Sequence, residues 1–366
     1  MNRRTFLLTT GAAILGQGLS GCNTLKKSLF FSDKSQKFTK VVDQLDWIDD
    51  HRRQNLALKS EKKDASDLNK LVPEINEIEL LNIHSSQPTN SLRIIAWNTE
   101  RGRNWREGVQ LIESNPALKN PDVILLGEMD LGMARSYNEH TTKELAAALN
   151  MNYAYGVEFL ELTKGEAEER EKYPGENEWG YHGNAILAKY PLQNLRMIRF
   201  PGIEIWYNHY QKRLGGRMAL FADIQINGKV ITFVSTHLES TGNNEILRKS
   251  QMNMILNELK KRSEDLPVVI GGDFNATPDE SLFKNLKKEG FLIEECNEIG
   301  KPTQQQFNDG KVFLVKKQID YITIKNLEIM KDNTSPKVVP AAFTEKNHTI
   351  MLSDHAIVTV KVHSTI

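Results

Sequence analysis

The chain has 366 residues, 39% of them hydrophobic and 26% charged, which is the composition of a soluble globular protein with one large domain or two ordinary ones. Its 47 basic residues cancel its 47 acidic ones, and this neutrality argues against a dedicated high-affinity binder of duplex nucleic acid. The two cysteines, Cys22 and Cys296, exclude a disulfide framework, so stability must come from a packed core.

Residues 1–22 read as an export signal: a positive start, a short apolar stretch interrupted by glycine, then small residues. The apolar stretch is too short to span a bilayer. Arg3-Arg4-Thr5-Phe6-Leu7 resembles a twin-arginine signal, and Leu19-Ser20-Gly21-Cys22 resembles a lipobox. The expectation is an exported lipoprotein, anchored at Cys22 to a membrane on the periplasmic face or the cell surface, and monomeric.

Residues 23–90 are polar and charged and read as a tether. Two pieces are more ordered: residues 41–48 have helical periodicity, and residues 75–81 fit a helix or a strand. From residue 91 the text changes. Short apolar runs bounded by turn residues recur at 92–97, 123–126, 184–188, 219–226, 230–236, 268–270, 319–324 and 356–362, and each suits a strand. Amphipathic stretches at 141–149, 243–261 and 279–289 suit helices. Asn227-Gly228 between two runs predicts a hairpin. The mixture predicts an α+β fold for residues 91–366. Two stacked mixed sheets, largely antiparallel, would be flanked by helices in a four-layer α/β/β/α sandwich.

Polar groups close or open these runs, which a pure core would not require. Asn98 and Glu100 follow the first, Glu128 the second, His237 the fifth, and Asp273 and Asn275 the sixth; Asp320 lies inside the seventh, and Asp354 and His355 precede the last. Carboxylate and amide oxygens suit Mg²⁺, with Mn²⁺ or Ca²⁺ as alternatives, rather than zinc. A hard cation beside histidines is what hydrolysis of a phosphoester needs.

The motifs W-N-T-E, G-E, G-N-A-I-L, T-H-L, G-G-D-F-N, I-D-Y-I and S-D-H, in this order, resemble the endonuclease/exonuclease/phosphatase superfamily from about residue 91 to the end. The resemblance implies that Asn98 and Glu128 hold the metal, with Asp354 a further ligand or outer partner. Glu100 either serves a second metal or is a hydrogen-bonded turn residue. Asp273 and Asn275 would position the water and the scissile phosphate, His355 would be the essential histidine held by Asp320, and His237 would donate to a phosphate oxygen. The sequence leaves open whether His355 or Asp273 takes the water's proton.

Asn184, and His182 beside it, are candidates to face substrate. Arg217 is a candidate phosphate clamp at the end of an aromatic-basic stretch, 200–217, which contains Trp206, Tyr207 and Tyr210. The acidic stretch 158–178 suggests a surface loop or helix near the site. The motif around Glu128 departs from the family pattern. Gly127 precedes it, and Asp130 stands where deoxyribonuclease-like members carry an arginine for the minor groove, which disfavours a duplex endonuclease unless Arg101 or Arg135 substitutes. The expected activity is hydrolysis of a phosphodiester, in nucleic acid or in a lipid or small molecule; a catalytically inactive binding module is the remote alternative.

Overall fold

The computed structural model describes residues 40–60, 72–87, 89–201, 211–241, 244–346 and 348–364. The leader with Cys22, residues 23–39, 61–71 and 88 of the expected tether, and Trp206, Tyr207 and Tyr210 lie outside the described residues. Residues from Phe38 to Ile366 form one compact unit.

In chain order the elements are β1 (Lys40–Val42), α1 (Asp50–Ser60), β2 (Glu77–Leu81), β3 (Ser91–Arg101), α2 (Trp105–Ser114), β4 (Val123–Leu131), α3 (Thr141–Ala148), β5 (Asn152–Glu161), α4 (Ala167–Lys172), β6 (Tyr181–Ala188) and β7 (Leu192–Arg199). There follow β8 (Arg213–Gly215), β9 (Met218–Ile226), β10 (Lys229–His237), α5 (Glu245–Leu259), β11 (Val268–Asp273), α6 (Ser281–Lys288), β12 (Gln305–Asn308) and β13 (Lys311–Leu314). The chain closes with β14 (Asp320–Lys325), β15 (Ile329–Met330), β16 (Lys337–Val339), β17 (Ala342–Glu345), β18 (His348–Met351) and β19 (Ile357–His363).

The larger sheet runs β1-β2-β5-β6-β4-β3-β19-β15, with β16 also on β19 and β8 on β5; the smaller runs β14-β11-β10-β9-β7. Only the pairs β1/β2, β3/β4 and β10/β11 are parallel among those described. The expected sandwich is present, and alternation along the strands explains it. In β3, Ile94 and Ala96 face the smaller sheet, where they meet Phe233, Val269 and Ile322, while Ile95 and Trp97 face outward to α2 and α3. The outer face of the smaller sheet packs Phe221 and Ile270 on Met252 and Ile255 of α5 and Phe283 and Leu286 of α6. Both faces of each sheet are therefore covered, and the layers are helix, sheet, sheet, helix.

The structure corrects the N-terminal expectation in two ways. Residues 41–48 are not a helix: the β-branched pair Val41-Val42 adds a strand beside Ile78 and Glu79, and Leu45 and Ile48 drop into the core. The helix starts later, at Asp50. The domain also begins well before residue 91. β2 pairs with β5, and its buried Glu79 accepts from the Leu45 backbone at 2.9 Å, contacts His140 at 2.9 Å and accepts from the Tyr153 hydroxyl at 2.6 Å. A polar composition here reflects buried hydrogen bonding rather than a solvated stalk.

Candidate active site

Strand direction gathers the site. β3 and β4 run parallel, as do β10 and β11, so Asn98, Glu128, His237 and Asp273 all stand at C-terminal ends. β14 runs against β11, which places Asp320 opposite Asp273, and β19 runs against β3, which brings its preceding residues Asp354 and His355 to the same rim. His237 is in register with Asp273 across the parallel ladder. Gly272 lets these strands approach: at φ +137° a Cβ there would lie 2.0 Å from the Thr236 carbonyl oxygen.

Asp273 is the hub. Its Oδ2 lies 3.2 Å from Asn98 Nδ2, 3.3 Å from His237 Nε2 and 3.7 Å from His355 Nε2, and its Oδ1 accepts from the Asn275 backbone N–H at 2.8 Å. Burial, then the nearby charge of Asp320, pushes the Asp273 carboxyl up to about 7. His355 Nδ1 donates to Asp320 Oδ2 at 2.8 Å. Burial opposes a charge on this imidazole, but Asp320 and Asp273 outweigh it and hold His355 well above the ordinary histidine range. His237 is the opposite case. Burial and the Arg217 guanidinium keep it well below that range. Arg217 Nη1 donates to His237 Nδ1 at 2.7 Å, so the ring proton sits on Nε2 and points at Asp273.

The large-sheet half uses irregular backbone. The β3/β4 register shifts between Asn98 and Arg101, and the β4/β6 register shifts between Leu126 and Met129. Glu100, Arg101 and Glu128 have φ of +48°, +77° and +57°, so these bulges aim side chains that a regular strand would turn aside. Glu128 Oε1 accepts from Asn98 Nδ2 at 3.3 Å, and its Oε2 takes a short contact from Arg101 Nη1. Glu100 Oε1 accepts from Arg103 at 2.6 Å and Oε2 from the Asp354 backbone at 3.0 Å, the bonding of a turn residue. Burial, then the charges of Asp354 and, more weakly, Glu128, raises the Glu100 carboxyl.

Asn98, Glu128 and Asp354, with Glu100 beside them, offer amide and carboxylate oxygens, and burial together with the Glu128 charge raises both the Glu100 and the Asp354 carboxyls; this donor set fits a hard divalent ion. Asp273, Asp320 and His355 also bring ligand-type atoms within 4.8 Å of one another. There the 2.8 Å His355–Asp320 bond already uses both facing atoms, which suits a proton-handling pair better than a cation.

Several expected roles change. Arg217 is not an open phosphate clamp. It is 5% exposed and is bound to Glu158 at 2.9 Å, to His237, and to the Ser240 hydroxyl at 3.0 Å, so it orients the histidine from beneath. His182, 1% exposed, is likewise beneath the site, with Nδ1 2.8 Å from Asp130 Oδ1. Asp130 repels no DNA phosphate, because it is fully buried in a bidentate pair with Arg135, 2.8 and 2.9 Å. Arg135, equally buried, is no substitute for a groove-reading arginine, and Arg101 is committed to Glu128 and Glu169. Asn184 is buried between Gly127 and Met218, and its Oδ1 finds no partner among the described residues. Asn275 gives its Nδ2 to the Leu238 carbonyl at 3.1 Å, which fixes the loop after Asp273. Glu158, Glu161 and Glu169 escaped the sequence reading: a dense acidic stretch reads as surface, yet Glu158 and Glu161 are buried against arginines.

Residues 95–355 match the Endonuclease/Exonuclease/phosphatase family. Tyrosyl-DNA phosphodiesterase 2 of Gallus gallus is 29% identical over 103 residues, a match covering 28% of this chain and 25% of that protein. The chain thus matches about a quarter of that relative's length. An endonuclease/exonuclease/phosphatase structure from Beutenbergia cavernae superposes with a TM-score of 0.52 at 16% identity, over 75% of this chain and 72% of that one. The human Nocturnin catalytic domain with bound sulfate gives 0.51 at 17% identity, over 78% and 97%. These structures share the fold, and the family's general chemistry is hydrolysis of phosphoesters. Its matched span reaches from β3 to His355 and takes in both halves of the site, and the chain belongs to the endonuclease/exonuclease/phosphatase family.

Proposed function

We propose that the chain hydrolyses a phosphodiester with the help of one divalent cation, Mg²⁺ by preference, held by Glu128 and Asn98 with Asp354 at its edge. When bound, the cation would neutralise non-bridging oxygens of the phosphate. Asp273, with its carboxyl near neutrality, takes the proton of the attacking water. His355, held protonated by Asp320, and neutral His237, donating from Nε2, meet the negative oxygens as charge develops. The single observation that carries this reading is the convergence of Asn98, His237 and His355 on Asp273 Oδ2 at 3.2, 3.3 and 3.7 Å.

The name of the chicken relative supports a diester over a monoester. A nucleic acid is the first substrate class to test. A lipid or small-molecule diester is the second reading, favoured by the zero net charge. A panel of plasmid DNA, single-stranded RNA, sphingomyelin vesicles and a chromogenic phosphodiester, with and without chelator, tests the proposal beside His355→Ala. Chelator-sensitive cleavage lost in the variant supports it; cleavage that survives either treatment overturns it.

We also propose export and lipid anchoring at Cys22, carried by the lipobox-like text alone. Cys22→Ser should move the protein from the membrane fraction to the soluble one, and an unchanged distribution would sink this part.

A further inference from the structure

The sequence Glu100-Arg101-Gly102-Arg103 inserts two guanidinium groups into the acidic half of the site. Arg103 takes Glu100 Oε1. Arg101 takes Glu128 Oε2. The Glu128 oxygen that no arginine holds is Oε1, which accepts from Asn98 Nδ2 at 3.3 Å and lies 4.0 Å from His237 Nδ1.

Arg101 is not loose. Its side chain is 14% exposed, and its Nε donates to Glu169 Oε1 at 3.3 Å. Glu169 in turn takes Arg135 Nη1 at 3.3 Å and the Glu166 backbone N–H at 2.9 Å, as half of a capping box on α4. Arg135 is locked by Asp130, with both side chains fully buried. The acidic segment between β5 and β6 thus braces Arg101 through Glu169, and the brace ends on a rigid ion pair.

We propose that Arg101, braced by Glu169, makes Glu128 a one-oxygen ligand and thereby selects Mg²⁺ over Ca²⁺. The physical ground is coordination. Ca²⁺ takes about six to eight oxygens and readily uses both oxygens of one carboxylate, whereas Mg²⁺ keeps an octahedral shell of about six and takes one oxygen per carboxylate. A carboxylate oxygen held in a charge-assisted bond to a guanidinium is withdrawn from the first role and leaves the second intact. Arg101 and Glu169 are positioning residues: each acts through Glu128. This inference rests on the cation-assisted reading above.

The test is calorimetric titration of the chelator-stripped protein with Mg²⁺ and, separately, Ca²⁺, without substrate. The wild-type chain should bind Mg²⁺ more tightly. Arg101→Met should shift the ratio of the two dissociation constants toward Ca²⁺ by about tenfold, mostly through tighter Ca²⁺ binding. Glu169→Ala, at a half-buried position, should shift it the same way by a smaller factor, and it decides the matter if Arg101→Met fails to fold by circular dichroism. A ratio within twofold of wild type in the folded variants overturns the proposal and leaves the cation-assisted reading standing. A wild-type chain that binds neither ion overturns both.

Discussion

The two halves of the site are built by different means. On the small sheet, His237, Asp273 and Asp320 are placed by register: one straight ladder sets all three side by side. On the large sheet, Asn98, Glu100 and Glu128 are placed by bulges, left-handed backbone and a buried run of ions from Glu128 through Arg101, Glu169 and Arg135 to Asp130. A regular ladder fixes the proton-handling half in one geometry. The bulged half carries its charges on irregular backbone held by the surrounding ion pairs and by hydroxyl bonds from Thr99 and Ser353 to the Gly127, Glu128 and Asn98 carbonyls.

Removing a member of either half should cost most in turnover. His355→Ala should lower kcat by about 10²–10⁴-fold, the usual worth of a positioned acid or base. Glu128→Ala should also abolish turnover, and titration should then show the cation lost as well. Assays on a chromogenic diester, with thermal unfolding as a fold control, separate the two. Near-normal turnover in either variant would refute the assignment.

The next effect is on stability. Arg217→Met leaves Glu158 buried without the partner 2.9 Å away, and breaking a buried pair from one side costs about 3–5 kcal/mol. It also frees His237 to change tautomer. Thermal melts should show a large drop, and adding Glu158→Gln to Arg217→Met, which removes the stranded charge, should recover part of it. An Arg217→Met melt equal to wild type would place Arg217 outside the core of the small-sheet half.

Asp273 gives a pH-dependent test. Its carboxyl is raised to about 7 in the fold, against about 3.9 for an ordinary aspartate, so the unfolded chain loses this proton first. The contribution is therefore full below the ordinary range and is lost as pH rises through about 7. In chelator, Asp273→Asn should melt higher than wild type at pH 8, and the advantage should vanish near pH 4. An equal difference at both values would show that the carboxylate is not strained by burial.

The same contrast explains what was legible in the sequence. The small-sheet half was readable because a polar residue at the end of a short apolar run projects from a known strand end, as with His237 after 230–236. Asp130, Arg217 and His182 were misread because local text does not say whether a charge faces water or a buried partner: Asp130 and Arg135 are five apart and neutralise each other out of solvent. The N-terminal strands were hidden for a related reason. Glu77 and Glu79 look like solvated tether text, yet β2 sits between β1 and β5.

The smallest expected effect tests whether register alone holds the small-sheet half. Gly228, at φ +78° in the β9–β10 turn, has nothing within 4 Å of the position a Cβ would take, unlike Gly272 at the other end of the ladder. Gly228→Ala therefore adds backbone strain without a clash and should cost about 1 kcal/mol, or about 1–2 °C in a domain of this size. Turnover should be unchanged, because the β9/β10 ladder runs eight residue pairs from Lys229 to Thr236 and a strained turn at one end does not slip the other. A Gly228→Ala chain that lost activity in proportion would mean that the turn, and not the ladder, sets where His237 stands.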